Sequence, residues 1–198
     1  MSGTSDSKIS RVQISDLGDA RDGRAPGGAH VHLSAFEQGD DKAGNLPTGV
    51  PTQNNVIEDS VFLDSGFKAE FGVRMIINCL LPESDGQYSI FLSGNTVRNN
   101  VFRGFHWNAV EIAGPGTRRN TVTSNEFYGA RQDALDNDKG AKFNLYNNNL
   151  VDGMTQGPGN AATAGIRDQG LPPQCSGGVK TPSATPRATC TRTTSSRT

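Results

Sequence analysis

The chain has 198 residues, with 19 Lys and Arg against 20 Asp and Glu and a net charge of -1, which gives no electrostatic footprint for a nucleic-acid partner. No apolar run approaches the roughly 20 residues that a membrane span needs. With 33% hydrophobic residues, 24 Gly and 16 Asn, the composition suits a thin core wrapped by many corners.

The first ten residues, MSGTSDSKIS, are polar and lack the apolar segment of a secretory signal. Repeating structure is expected from about Ile9, with no room before it for a cap over the end of a stack. Either a longer parent chain, a partner or the N-terminal strand itself is expected to supply that cap.

Five times an apolar residue is followed at +3 by Asn or Ser and at +5 by Phe or Leu. The sets are Val12/Ser15/Leu17, Ile57/Ser60/Phe62, Val97/Asn100/Phe102, Val122/Asn125/Phe127 and Leu145/Asn148/Leu150. The last three begin 25 and then 23 residues apart, too long for a hairpin meander and suited to a coil that returns to stack on itself. Two insertions break the spacing: a polar one over 35–55, read as a protruding loop, and a more apolar one over 76–92, read as a hairpin. Insertions of this kind wall a groove or merely decorate the stack. Phe105 to Ile112 then reads FHWNAVEI and, 25 residues on, Ala130 to Asn137 reads ARQDALDN, so two segments repeat together. Short alternating runs imply half-buried strands, and Gly104, Gly129 and Gly153 fall where corners are needed. No stretch has helical periodicity.

From Met154 to Thr198 the composition shifts to Gly, Pro, Ser, Thr and Arg, and a disordered tail is expected. Cys79 reads as a buried lone thiol, whereas Cys175 and Cys190 are placed to pair or to remain free.

Stacked turns put like residues above like at about 4.8 Å. The +3 positions Ser15, Ser60, Asn100, Asn125 and Asn148 then form a ladder of side chains able to donate to one turn and accept from the next. The +5 positions Leu17, Phe62, Phe102, Phe127 and Leu150 form an internal stack. The segments NTVRNNVFRG, NTVTSNEFYG and FNLYNNNLVDG carry a resemblance to the right-handed parallel β-helix proteins of the pectate-lyase-like superfamily. It covers residues 9 to 153 and is firmest over 95 to 153. It implies an all-β, single-stranded right-handed solenoid of about five turns over 9–153, followed by the tail 154–198. It also implies a monomer at the cell surface or outside the cell, with polysaccharide as partner and no required cofactor.

Aligning Val31-His32-Leu33, Val73-Arg74-Met75, Val110-Glu111-Ile112 and Leu135-Asp136-Asn137 puts His32, Arg74, Glu111 and Asp136 in one outward column. Outward strand positions are commonly charged, and opposite signs on neighbouring strands stabilise pairing by only about 0.2–1 kcal/mol. Glu111 beside Asp136 is different, because adjacent like charges need a cation, a proton or an Arg. With Asp133 and Asp138 close by, calcium held by Glu111, Asp133, Asp136 and Asp138 is one expectation. His30 and His32 alternate on one strand but lack further ligands at metal spacing.

If the face is catalytic, the resemblance implies an acidic polysaccharide as substrate. For β-elimination, Arg74 or the calcium would neutralise the uronate, and His106, His32 or Lys139 would take the proton. For hydrolysis, Glu111 and Asp136 would serve as the carboxylate pair, with a separation of about 5 Å favouring retention. The catalytic candidates are therefore Arg74, His106, Glu111 and Asp136, and the substrate-binding candidates His32, Trp107 and Lys139. Tyr88, Tyr128 and Tyr146 are further sugar-stacking candidates. No longer lyase or galacturonase motif is present, so a non-catalytic structural, adhesion or carbohydrate-binding module is the other function expected.

Overall fold

In the computed structural model the described residues are 1, 3–15, 28–34, 51–64, 69–76, 92–114, 116–154 and 164–168. They are all-β, with strands paired in parallel. The first sheet contains Lys8–Ser10, Val56–Glu58, Thr96–Arg98, Thr121–Thr123 and Leu145–Asn147, and the second contains Gln13–Ser15, Val61–Leu63, Val101–Arg103, Glu126–Tyr128 and Leu150–Asp152. The third contains Ala29–Leu33, Phe71–Ile76, Asn108–Ala113, Asp133–Asp138 and Ala164–Asp168, and a short fourth contains Thr52–Gln53, Leu92–Ser93 and Thr117–Arg118. The chain visits first, second and third sheets in that order and returns to the first through the fourth. This is the solenoid-like arrangement that the repeat implies.

Register follows the apolar pattern. Ile57, Val97 and Val122 align in the first sheet, and Phe62, Phe102 and Phe127 align in the second. The phenylalanine rings are 4.8 and 5.0 Å apart with planes tilted by 11° and 12°. Strand spacing thus becomes ring spacing, and the stack excludes water from the axis. Val73, Val110 and Leu135 align in the third sheet beside Met75 and Ile112, all fully buried.

The first and last sets are shifted from the sequence expectation. Ile9 pairs with Ile57 and Ile14 with Phe62, so Val12 rather than Ser15 sits opposite Ser60, while Leu17 lies outside the described residues. Val12 lacks an amide, and only its backbone N–H reaches Ser60 Oγ, at 3.2 Å. In the last turn Tyr146 pairs with Val122 and Val151 with Phe127, so Tyr146, Asn149 and Val151 replace Leu145, Asn148 and Leu150. Leu145 and Asn148 are exposed. A one-residue slip exchanges the faces of a strand, and the run Asn147 to Asn149 hides the slip.

Two asparagine ladders brace the corners. In one, Asn100 Oδ1 accepts from Ser60 N–H, and Asn125 Oδ1 accepts from Asn100 N–H and Nδ2. Asn149 Oδ1 accepts in the same way from Asn125. The other runs through Asn55, Asn95, Asn120 and Asn144 with the same geometry. Residues just before the rungs adopt positive φ, for example Asn99 at 55° and Ser124 at 56°. Gly104 also takes positive φ, and a Cβ there would lie 2.3 Å from Asp64 O, so that corner admits only glycine.

Residues 35–50 and 77–91 of the two insertions lie outside the described residues, as do Cys79, Cys175, Cys190 and Tyr88. Both insertions leave third-sheet strands and return to the fourth sheet, at the same corner. The strand Ala164–Asp168 pairs with Asp133–Asp138, although it falls within the segment whose composition reads as a tail. The remainder of that segment from 169 lies outside the described residues.

Candidate carboxylate site

Third-sheet pairing sets His32 beside Arg74, Arg74 beside Glu111, Glu111 beside Asp136, and Asp136 beside Arg167. The first four members form the column expected from sequence. Arg167 is an addition, supplied by the strand that composition concealed.

At its two carboxylates the column is buried rather than open: Glu111 is 4% and Asp136 2% exposed. Arg74 Nε donates to Glu111 Oε2 at 2.5 Å, and Lys139 Nζ lies 3.8 Å from Glu111 Oε1. Arg167 Nη2 lies 2.8 Å from Asp133 Oδ2 and 3.5 Å from Asp136 Oδ2. Asn108 Nδ2 donates to Asp136 Oδ2 at 3.1 Å. Thus four carboxylates, Glu111, Asp133, Asp136 and Asp138, face three cations. Oxygens of Glu111, Asp136 and Asp138 lie within 4.8 Å of one another, while the Asp133 carboxylate is taken up by Arg167.

Burial raises the Asp136 carboxyl from 3.8 to about 7; Arg167 opposes the rise, and Asp138, Asp133 and Glu111 add to it. Water is excluded and like charges crowd the group, so its neutral form is favoured. Burial likewise raises Glu70, at the N-terminal side of the Arg74 strand.

Trp107 sits just before the Asn108–Ala113 strand and is 39% exposed. Its ring meets Phe71 edge-on at 5.7 Å, and the Arg74 guanidinium lies 4.4 Å above the Phe71 ring. His32 is exposed on the same sheet.

His106 is not part of the carboxylate cluster. It occupies the preceding corner, where its backbone N–H donates to Ala69 O at 3.0 Å. Burial and Arg131 lower its pKa, while Asp64 opposes them. Tyr146 is a core residue, its hydroxyl bonded to Asn137 Oδ1 at 3.1 Å, and Tyr128 lies under the Arg103 guanidinium. His30 is buried against Phe105 and Phe62, whereas His32 is exposed, so the two histidines do not form a shared site. Asn108 was not among the sequence candidates; only its place at the start of the apolar strand that carries Glu111 hinted at it.

No family model, curated protein or solved structure matches this chain. No helix among the described residues is long and apolar enough to cross a membrane.

Proposed function

We propose that the chain is a right-handed parallel β-helix of about five turns that contacts polysaccharide along the outward face of its third sheet. Handedness rests on the strong preference of parallel strand crossovers for the right-handed sense. The observation that carries the functional reading is the exposed Trp107 ring buttressed by Phe71, with Arg74 stacked alongside. An aromatic face suits the apolar side of a sugar ring, and a guanidinium suits an acidic substituent. Lys139 and His32 extend the same surface. On this reading the protein acts as a monomer outside the cell or on its surface, where such polymers occur.

A second reading, cleavage of an acidic polysaccharide, is favoured by the Asp136 carboxyl, neutral to about pH 7 beside the ion-paired Glu111. Such a pair has the makings of an acid and a carboxylate partner. The burial of both groups weighs against it, since a glycosidic bond would have to reach them.

A screen against acidic and neutral polysaccharides separates the readings, following retention in affinity electrophoresis together with unsaturated-uronide absorbance and reducing ends. Binding without product, weakened about tenfold or more by Trp107→Ala as expected for loss of a stacking platform, is the expected result. Product that disappears in Glu111→Gln would establish the enzyme instead. Retention by no polysaccharide would overturn the proposal.

A further inference from the structure

Three carboxylates gather at the C-terminal half of the third sheet, where Arg74 Nε donates to Glu111 Oε2, Lys139 N–H to Asp138 Oδ1 and Asn108 Nδ2 to Asp136 Oδ2. Glu111 and Asp136 are register neighbours, and Asp138 follows two residues on along the same strand. Asp138 is 7% exposed. Asp136 Oδ1 has no hydrogen-bond partner among the described residues, and neither has Oδ1 of Asn108, itself 2% exposed and held against Asp136 through its Nδ2. Buried acceptors without donors are costly. Turning the Asn108 amide about its own axis presents Oδ1 to Asp136 in place of Nδ2, and a cation would reward that turn.

We propose that Glu111, Asp136 and Asp138, with Asn108 Oδ1, form a closed site for one calcium ion that ties the Asn108–Ala113 strand to the Asp133–Asp138 strand. Calcium binds oxygens at about 2.3–2.6 Å, so oxygens on opposite sides of one ion stand about 5 Å apart. The three carboxylate oxygens, within 4.8 Å of one another, fit that span without movement of the strands. Magnesium, with oxygens at about 2.1 Å and a demand for regular octahedral geometry, fits it less well. Asp133 is outside the set because Arg167 holds it. Burial distinguishes the role as well: the ion would be enclosed by protein, under Arg74 and Lys139, and would act as a clamp between turns rather than a bridge to a bound polymer.

The test uses the full chain, freed of metal with chelator and titrated with calcium chloride alone, no saccharide present. Calorimetry should show one saturable site with a dissociation constant between about 10⁻⁶ and 10⁻³ M, and the thermal midpoint should rise with calcium. Asp138→Asn should weaken binding at least tenfold, whereas Asp152→Asn, on the exposed edge of the second sheet, should not. Because Asp138→Asn could itself disturb folding, amide spectra of the unmutated chain provide the second measurement. Calcium should move the resonances of residues 108–113 and 133–139 first. Absence of heat and of spectral change at 10 mM calcium would overturn the proposal, as would equal affinity in Asp138→Asn or changes confined to other acidic residues.

Discussion

Phe102→Ala should lower stability by about 3–5 kcal/mol, the cost typical of emptying a large aromatic site in a core that cannot collapse. Phe102 is fully buried between Phe62 and Phe127 and meets Phe105 at 6.2 Å. The neighbours cannot close the gap, because each ring is fixed at strand spacing by its own turn. Gly72 shows how tightly the site is filled: a Cβ there would lie 2.7 Å from Phe102 Cδ1 and from Ala109 O. Urea denaturation should show a lower midpoint with an unchanged slope. A midpoint equal to that of the unmutated chain would mean that Phe102 is not in the axial stack.

Asn125→Leu should be nearly as costly. The amide accepts from Asn100 N–H and Nδ2, and donates to Val97 O, Thr123 O and Asn149 Oδ1. Leucine supports none of these, leaving Asn100 N–H buried and unpaired at about 1–3 kcal/mol, on top of the remaining lost hydrogen bonds at about 0.5–1.5 kcal/mol each. Asn148→Gly is the control, since Asn148 is exposed with φ of 52°, a conformation glycine adopts freely. Urea midpoints should fall sharply for Asn125→Leu and hardly at all for Asn148→Gly. Similar losses in both would show that the corner at 148 rather than 149 carries the ladder.

What was legible in the sequence had a strict period. Ile57/Ser60/Phe62, Val97/Asn100/Phe102 and Val122/Asn125/Phe127 fall where they were expected, because a chain that returns once per repeat stacks like residues on like. The outward column of His32, Arg74, Glu111 and Asp136 was legible for the same reason. The second ladder was there to be read in the five-residue spacing of Asn95 to Asn100, Asn120 to Asn125 and Asn144 to Asn149. It was obscured because a ladder appears only when both ends of each corner are aligned. Arg167 was hidden by its surroundings: the strand Ala164–Asp168 lies in a segment of coil-like composition, and only pairing with Asp133–Asp138 gives it a place. Burial of the column's two carboxylates also escaped the pattern. Alternation tells which face a residue takes, but not whether long side chains such as Arg74, Lys139 and Arg167 cover its carboxylates.

The chemistry of the site depends on Asp136 being buried beside Glu111, and the carboxyl itself can report this. Its folded pKa, about 7 against an ordinary 3.8, is raised, so the folded chain keeps a proton that the unfolded chain has already released between those values. Stability should therefore fall as pH rises through that window in the absence of a cation. The direct measurement is a carbon-detected NMR titration of the Asp136 carboxyl in chelator, in the unmutated chain and in Glu111→Gln. The account predicts a midpoint near pH 7 in the first and a lower one in the second, since the Glu111 charge contributes to the rise. A midpoint near 4 in both would contradict it, leaving Asp136 an ordinary solvated acid on a strand face.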